Sequence, residues 1–335
     1  MLKANAYGHG ALRCASAIQD IADAFAVAFT EEAMHLRESG IRSPILVLEG
    51  AFNVSDVELA RKHNLWLVIH QLEQVKMLEQ LGQPHKPINV WLKIDTGMHR
   101  AGLMPANVAA AWNRLKACAS VASIHLMTHL CSADEPNRAT TRRQLGQFQS
   151  CIASLPGERS VANSAGILEW PGARQDWGRA GLMLYGVHPV KGNSDHLRPV
   201  MSLQSQIFSE RRITAGERVG YGEIFVANRP TRVGLVAIGY ADGYPRNAPN
   251  GTPVAVNGHI VKTIGRVSMD MLTVDLTDHP ELGLGSEVEL WGSQVPVHRV
   301  AQSAGTIAYE LLCNVKRVPL GYTSVAIDLE RSARI

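Results

Sequence analysis

The chain has 335 residues, 46% hydrophobic and 19% charged, which suits one large α/β barrel or two domains with proper cores and excludes a disordered protein. Its 33 basic and 30 acidic residues leave a net charge of +3 with no basic tract, so no nucleic-acid partner is expected. No apolar run approaches the roughly 18 residues of a membrane helix, so no membrane partner is expected either.

At the N-terminus, LKANAYGHG interrupts any secretory signal, and Cys14, Cys118, Cys131, Cys151 and Cys313 form no C-x-x-C pair. Free thiols in the cytoplasm are therefore expected. From residue 23 to about 186, short apolar runs alternate with amphipathic stretches. The runs are FAVAF (25–29), PILVLEG (44–50), LWLVIH (65–70), INVWLKIDTG (88–97), ASIHLMTH (122–129), RSVANS (159–164) and GLMLYG (181–186). Helical spacing between them, as in VSDVELARKHN and PANVAAAWNRLKACAS, predicts parallel strands each covered by a helix. With LKANA as a truncated first strand the count is eight, the number for a closed (β/α)8 barrel of the TIM type over residues 1–187.

Beyond 187, valine, threonine and turn glycines dominate, and helical periodicity returns only around 297–313. The runs VMSLQSQIFSERRI, GERVGYGEIFVA, TRVGLVAIGYADG, TPVAVNGHIVKTIGRVSMDMLTVDL and GSEVELWG predict an antiparallel β-domain over 188–335. The boundary is expected in the turn-rich HPVKGNSDHLRPV.

Active sites of such barrels lie at the C-terminal strand ends, which here carry Lys3 and Tyr7, then Lys93, Asp95 and Arg100, then His129, Asn163 and Ser164, and finally Arg179 and Gly181. Taken singly, each has an ordinary alternative: a solvated tail lysine, a core histidine, a capping serine, surface arginines. Their placement at successive strand ends argues for a site. A lysine in a barrel mouth loses hydration and reacts more readily as a neutral amine with an aldehyde. Pyridoxal 5′-phosphate needs that amine, a phosphate cup and a partner for its pyridine nitrogen, which Lys3, Ser164 with the backbone near Gly181, and Arg179 could supply.

The motifs KANAYGHG (3–10), LKIDTGMHRAG (92–102), THLCSADE (128–135), ANSAG (162–166), GRAGLMLYG (178–186), RVGYGE (218–223), GYADGYPR (239–246), GRVSMDM (265–271) and TIAYELLC (306–313) resemble, in order, those of the alanine racemases. The resemblance implies pyridoxal phosphate held by Lys3, the base for D-alanine, and Tyr221 of a second subunit as the base for L-alanine. It implies cofactor contacts from Tyr7, Asn163, Ser164, Arg179, Gly181, Leu182 and Tyr309, with His129, Arg179 and Asp270 in support. Arg100 and Met269 would bind substrate, Lys93 is a candidate for carbamylation, and Asp134, Tyr240, Arg266 and Ile307 would line the entry corridor. A head-to-tail homodimer with shared sites, and D-alanine for peptidoglycan or for catabolism, complete what the resemblance implies. No metal is expected.

Other readings stay open at this point. A broader-specificity racemase or a decarboxylase could use the same cofactor and barrel. A metal-dependent hydrolase could use Lys93 and His129, although no H-x-H closes an early strand. Only Met1 and Leu2 precede Lys3, where the family carries a strand, a helix and the rest of the first barrel strand. A start lying upstream is expected, the alternative being a truncated, weakly active or inactive cofactor-binding homologue whose lysine frays.

Overall fold

A computed structural model describes residues 1–81, 86–190 and 197–323. Six short strands, β1 (Phe25–Val27), β2 (Ile45–Val47), β3 (Leu65–Ile69), β4 (Ile88–Lys93), β5 (Val121–Met127) and β6 (Arg159–Ser160), pair in sequence order, each parallel to the next. The intervening helices, among them Thr30–Glu38, Val54–Lys62, Leu72–Gln80 and Pro105–Ala117, cover the outside. One of them shows how sequence sets a boundary: the Asn53 side chain accepts from the Asp56 N–H at 2.9 Å while Asp56 accepts from the Asn53 N–H at 3.3 Å, a reciprocal cap that starts Val54–Lys62.

The predicted count of eight survives in a different form. Residues 177–180 run beside β6, with Trp177 N–H to Arg159 O at 3.0 Å and Arg179 N–H to Ala162 O at 2.9 Å. Met1 N then donates to Ala180 O at 3.0 Å, and Leu2 N–H to Ala26 O of β1 at 2.7 Å, which closes the ring. Six ladder strands, the 177–180 segment and the Met1–Leu2 link thus make the eight-place α/β barrel. The run GLMLYG, predicted as the eighth strand, is instead a 3-10 helix over Leu182–Tyr185. A short buried apolar run does not distinguish strand from helix, and the flanking Gly186 at φ 76° favours the turn.

Strand side chains alternate between two packing environments. One set, including Val47, Leu67, Val90 and Leu92, packs with Leu36, Val57, Leu78 and Leu115 of the helices. The other set, Ala26, Leu46, Val68, Trp91 and Met127, fills the barrel interior together with Met1, Trp66 and Trp177. Burying a side chain of this size stabilises the fold by about 1.5–3 kcal/mol.

The second domain contains β7 (Leu203–Ile213), β8 (Arg218–Val219), β9 (Phe225–Val226), β10 (Thr231–Val236), β11 (Pro253–Val256), β12 (His259–Lys262), β13 (Leu272–Asp275) and β14 (Glu287–Trp291). Six of these form an antiparallel sheet in the order β12-β11-β14-β7-β10-β13. Its two edges meet through the Thr263 and Val274 bridge, so the sheet closes into a second, smaller barrel. Helices Val297–Ser303 and Ala308–Cys313 return the chain to the first barrel, where the Tyr309 ring lies 5.8 Å from that of Tyr7. Part of the predicted boundary (191–196) and the end of the predicted second domain (324–335) lie outside the described residues.

Candidate active site

The inner face of the barrel leads directly to its mouth. Two residues beyond the inward-packed Met1, Trp91, Met127 and Trp177 stand Lys3, Lys93, His129 and Arg179. Period-two alternation therefore turns Lys93, His129 and Arg179 inward at the strand ends, and Lys3 follows the Met1–Leu2 closure beside them. Their mutual proximity shows in the electrostatics. Burial, reinforced by Arg179, Arg100, Lys93 and Lys3, pushes His129 down to about 2. Burial likewise lowers Lys93 to about 8, opposed by Glu49 and assisted by Arg100, Arg179 and Lys3. His129 is thus a neutral imidazole at physiological pH.

Arg179 is part-buried, and desolvation lowers it only to about 10, so it stays a cation. Its Nη1 donates to Ser160 Oγ at 2.7 Å, and its Nη2 to Thr128 O at 2.6 Å and His129 Nδ1 at 3.2 Å. An arginine can only donate, so Nδ1 of His129 accepts and its proton resides on Nε2. Among the described residues Nε of Arg179 donates to nothing. Arg100, exposed, follows a loop that Asp95 folds by accepting the N–H groups of Gly97, Met98 and His99 at 2.9–3.1 Å.

The predicted stub LKANA is neither strand nor frayed end. Ala4, Asn5, Ala6 and Tyr7 all hold φ between 50° and 57°, a left-handed turn continued by Gly8 at φ 80°. Glu32 accepts the Ala4 N–H at 2.7 Å, and Nδ1 of His9 lies 3.0 and 2.9 Å from the carbonyls of Ala6 and Tyr7. Leu2 is buried and Tyr185 donates to Met1 O at 2.6 Å, so the two residues before Lys3 are held on both sides. These contacts hold the segment against the fraying named above as the alternative for this lysine.

Tyr7, four residues beyond Lys3, belongs to a cup of hydroxyls and backbone donors. Asn163 caps Ser164–Glu169 through the Gly166 N–H at 2.9 Å, which fixes Ser164, whose Oγ accepts from Gly181 N–H at 2.9 Å and Met183 N–H at 3.3 Å. Leu182 is buried at the start of the 3-10 helix. Burial raises the Tyr7 and Tyr309 hydroxyls above the ordinary phenol range, which keeps both as donors. A Cβ on Gly181 would stand 2.8 Å from the Tyr7 hydroxyl and 3.6 Å from Ser164 Oγ, so glycine keeps the cup open.

Not every predicted residue converges within one chain. Tyr221 (68% exposed) and Met269 (53% exposed) stand on the surface of the second domain, Tyr221 presented between Gly220 and Gly222 at φ 74° and 70°. Asp134 and Ile307 line a cavity of about 580 Å³ with Leu182 and Tyr309. Tyr240 lines a different cleft with Arg246 and Glu310, and Arg266 packs beside Gly220. Asp270 pairs with Arg317, whose guanidinium also holds Asp242 at 3.0 Å.

Several contributors were missed in the sequence. Glu49 and His70 close apolar runs, with His70 Nε2 3.0 Å from Glu49 O, and the strand-end rule alone would have drawn Glu49 beside Lys93. His9 was visible as the unexplained histidine of YGHG. Ser160 and Arg317 carry no local signal, because their roles arise only from long-range contacts, and Glu32 reads locally only as the N3 cap of its own helix.

Fold and site define an α/β-barrel enzyme with a lysine and a cup of hydroxyls and backbone N–H groups at the barrel mouth, joined to an antiparallel β-barrel domain. Models of the alanine racemase N-terminal domain and of the alanine racemase C-terminal domain match residues 1–189 and 200–322. A catabolic alanine racemase of Pseudomonas putida is 53% identical over 325 residues, 96% of this chain and 91% of that one. The crystal structure of the biosynthetic alanine racemase from Pseudomonas aeruginosa is 47% identical with TM-score 0.94, covering 96% of this chain and 91% of that one. An alanine racemase from Bartonella henselae with covalently bound pyridoxal phosphate is 31% identical with TM-score 0.86, covering 94% and 89%. The chain belongs to the alanine racemase family, isomerases that interconvert L- and D-alanine.

Proposed function

We propose that the chain racemises alanine with pyridoxal 5′-phosphate by a two-base mechanism, in sites that two copies of the chain share. The observation that carries this reading is the division of the chemistry: Lys3 lies in the barrel mouth, whereas Tyr221 and Met269 stand exposed on the other domain. Racemisation needs an acid/base group on each face of Cα. The neutral His129 and the permanently charged Arg179 beside Lys3 are poor candidates for the second one.

The residues fit the cofactor: the glycine-lined cup of Tyr7, Ser164, Gly181, Leu182 and Tyr309 suits its phosphate, Asn163 sets the cup's geometry, and Lys3 would hold its aldehyde carbon. Bound there, the cofactor supplies an electron sink beside Cα. Arg179, a cation at neutral pH, would hold the pyridine nitrogen as a donor without protonating it, which limits the sink and favours prompt reprotonation over side reactions.

Tyr221 of the partner subunit would take the Cα proton of L-alanine while the Lys3 ammonium returns one to the opposite face, and the reverse holds for D-alanine. His129, turned by Arg179 so that Nε2–H is free to donate, would stabilise the Tyr221 oxygen when it carries charge. Arg100 would bind the substrate carboxylate, with Met269 limiting the side chain to a methyl. Lys93, largely neutral above about pH 8, is suited to carbamylation and so to pairing with Arg100. Asp134, Tyr240, Arg266 and Ile307 would form the corridor once two copies meet, with Asp270 tied to it through Arg317. The crowd of cations around Lys93 and His129 disfavours the hydrolase reading, since a dinuclear metal site needs anionic ligands. A cytoplasmic setting belongs to the same reading, and all five cysteines are free thiols.

Exchange of the Cα hydrogen in D2O tests the assignment of faces. Holoenzyme carrying Tyr221→Phe should still exchange the Cα hydrogen of D-alanine while losing that of L-alanine. Equal exchange of both enantiomers would contradict it.

A further inference from the structure

The smaller barrel is closed by backbone pairing at one end of its seam only. Between β12 and β13 the Thr263 and Val274 bridge and the Ile264 N–H to Thr273 O bond of 2.9 Å hold the strands together. Carrying that antiparallel register toward the other end sets His259 opposite Asp278, where no backbone bridge forms among the described residues. Three side chains meet in that gap instead. Nε2 of His259 and Nδ1 of His279 approach the same oxygen of Glu281, at 3.7 and 3.3 Å, and the three ligand atoms all lie within 4.8 Å of one another.

We propose that His259, His279 and Glu281 form a binding site for a divalent transition-metal ion, of the zinc class, that clips the open end of the seam. A tetrahedral ion with ligands at about 2.0–2.2 Å sets neighbouring donors about 3.3–3.6 Å apart. Two of the three separations already stand near that value, and a small closure of the rings, now 5.1 Å apart between centroids, completes the third. Two imidazoles and one carboxylate select zinc, nickel or copper over calcium or magnesium, which take oxygen donors. The half-exposed position leaves the fourth place to water.

The backbone under both histidines is held. His259 pairs with Val256 across the two-residue turn Asn257–Gly258, both at positive φ (44° and 89°), which sets the strand entry. The His279 N–H donates to Leu276 O at 3.1 Å, and its carbonyl accepts from Leu282 N–H at 3.1 Å and from Arg232 Nη1 at 3.0 Å. The neighbouring guanidiniums do not oppose a cation strongly, because Arg232 pairs with Glu210 at 2.9 Å and Arg229 with Asp278 at 2.6 Å. Pre-held ligands spend little conformational entropy on binding. An ion that binds only the folded barrel stabilises it by mass action.

The test is a titration of metal-free holoenzyme with Zn2+, following heat of binding and the unfolding temperature. One ion per chain and a rise in unfolding temperature are expected, with affinity at least about tenfold weaker in His259→Asn and in Glu281→Gln, and racemase activity without added metal unchanged in both. His259→Gln replaces His259→Asn if the latter melts earlier than the parent before metal is added. Absence of saturable uptake at one ion per chain, or uptake in either variant as tight as in the parent, which would place the ion on the free thiols or elsewhere, overturns the proposal.

Discussion

His9 shows what it takes to hold the candidate catalytic lysine still. Four successive non-glycine residues in left-handed geometry, Ala4 to Tyr7, each carry a cost of about 1–2 kcal/mol, so the turn persists only because its surroundings over-determine it. Both atoms facing Nδ1 of His9 are carbonyl oxygens, so that nitrogen carries the proton, and the ring stacks on Tyr185 with 4.4 Å between centroids. Burial holds the imidazole below its ordinary range, hence neutral. Asparagine can place an amide donor where Nδ1 sits, and glutamine cannot. His9→Leu and His9→Gln should lower kcat by about tenfold or more, corresponding to ~1.4 kcal/mol of lost hydrogen bonding, with His9→Asn retaining most of it. Equal behaviour of the Asn and Gln variants would refute a positioning role.

Lys93 makes a pH-dependent expectation at the same scale. Its amine is held near 8 chiefly by burial, so it is mostly protonated below that and mostly neutral above. Only the neutral amine adds carbon dioxide. Carbon-13-labelled bicarbonate should therefore label the protein more at about pH 9 than at about pH 7, and Lys93→Ala should remove the signal. Labelling that falls as pH rises would argue against this environment for Lys93.

At the scale of elements, the strand-end residues Lys93, His129 and Arg179 were legible because apolar runs ended there and alternation turns every second side chain inward. The two ends of the predicted barrel were not. Alanine gives no hint of positive φ, so the left-handed turn in KANAYGHG showed only through its glycines. GLMLYG read as a strand because buried apolar runs of that length look alike in either geometry. Its real conformation matters, since the 3-10 turn aims the Gly181 and Met183 N–H groups at Ser164. Gly181→Ala would push a methyl to 2.8 Å from the Tyr7 hydroxyl. Titrating the apoenzyme with pyridoxal phosphate and reading absorbance should show affinity lowered by at least about tenfold with the fold retained. Parent-like affinity would mean that the cup does not hold the phosphate.

At the scale of the molecule, the two domains were legible as a change of texture after residue 187, but closure of the smaller barrel was not, and the proposed division of the site between copies entered only through the family resemblance. Such features depend on contacts between residues far apart in sequence, or on a second chain. The surface that presents Tyr221 is continuous: Arg266 packs beside Gly220 and Gly222, the Tyr240 N–H donates to Ser268 O next to Met269, and Tyr240 shares a cleft with Thr306, adjacent to Ile307. Tyr221, Tyr240, Met269 and Ile307 are all exposed apolar or aromatic residues there, which suits an interface. A two-fold axis would apply this surface twice and complete two sites.

Mixing two inactive variants measures that directly. Lys3→Ala and Tyr221→Phe homodimers each lack one base in both sites. If subunits exchange at random, half the dimers are mixed, and each mixed dimer has one of its two sites intact, so activity should return to about a quarter of the parent value. No recovery, in a mixture where tagged subunits demonstrate that mixed dimers have formed, would contradict a site shared between chains.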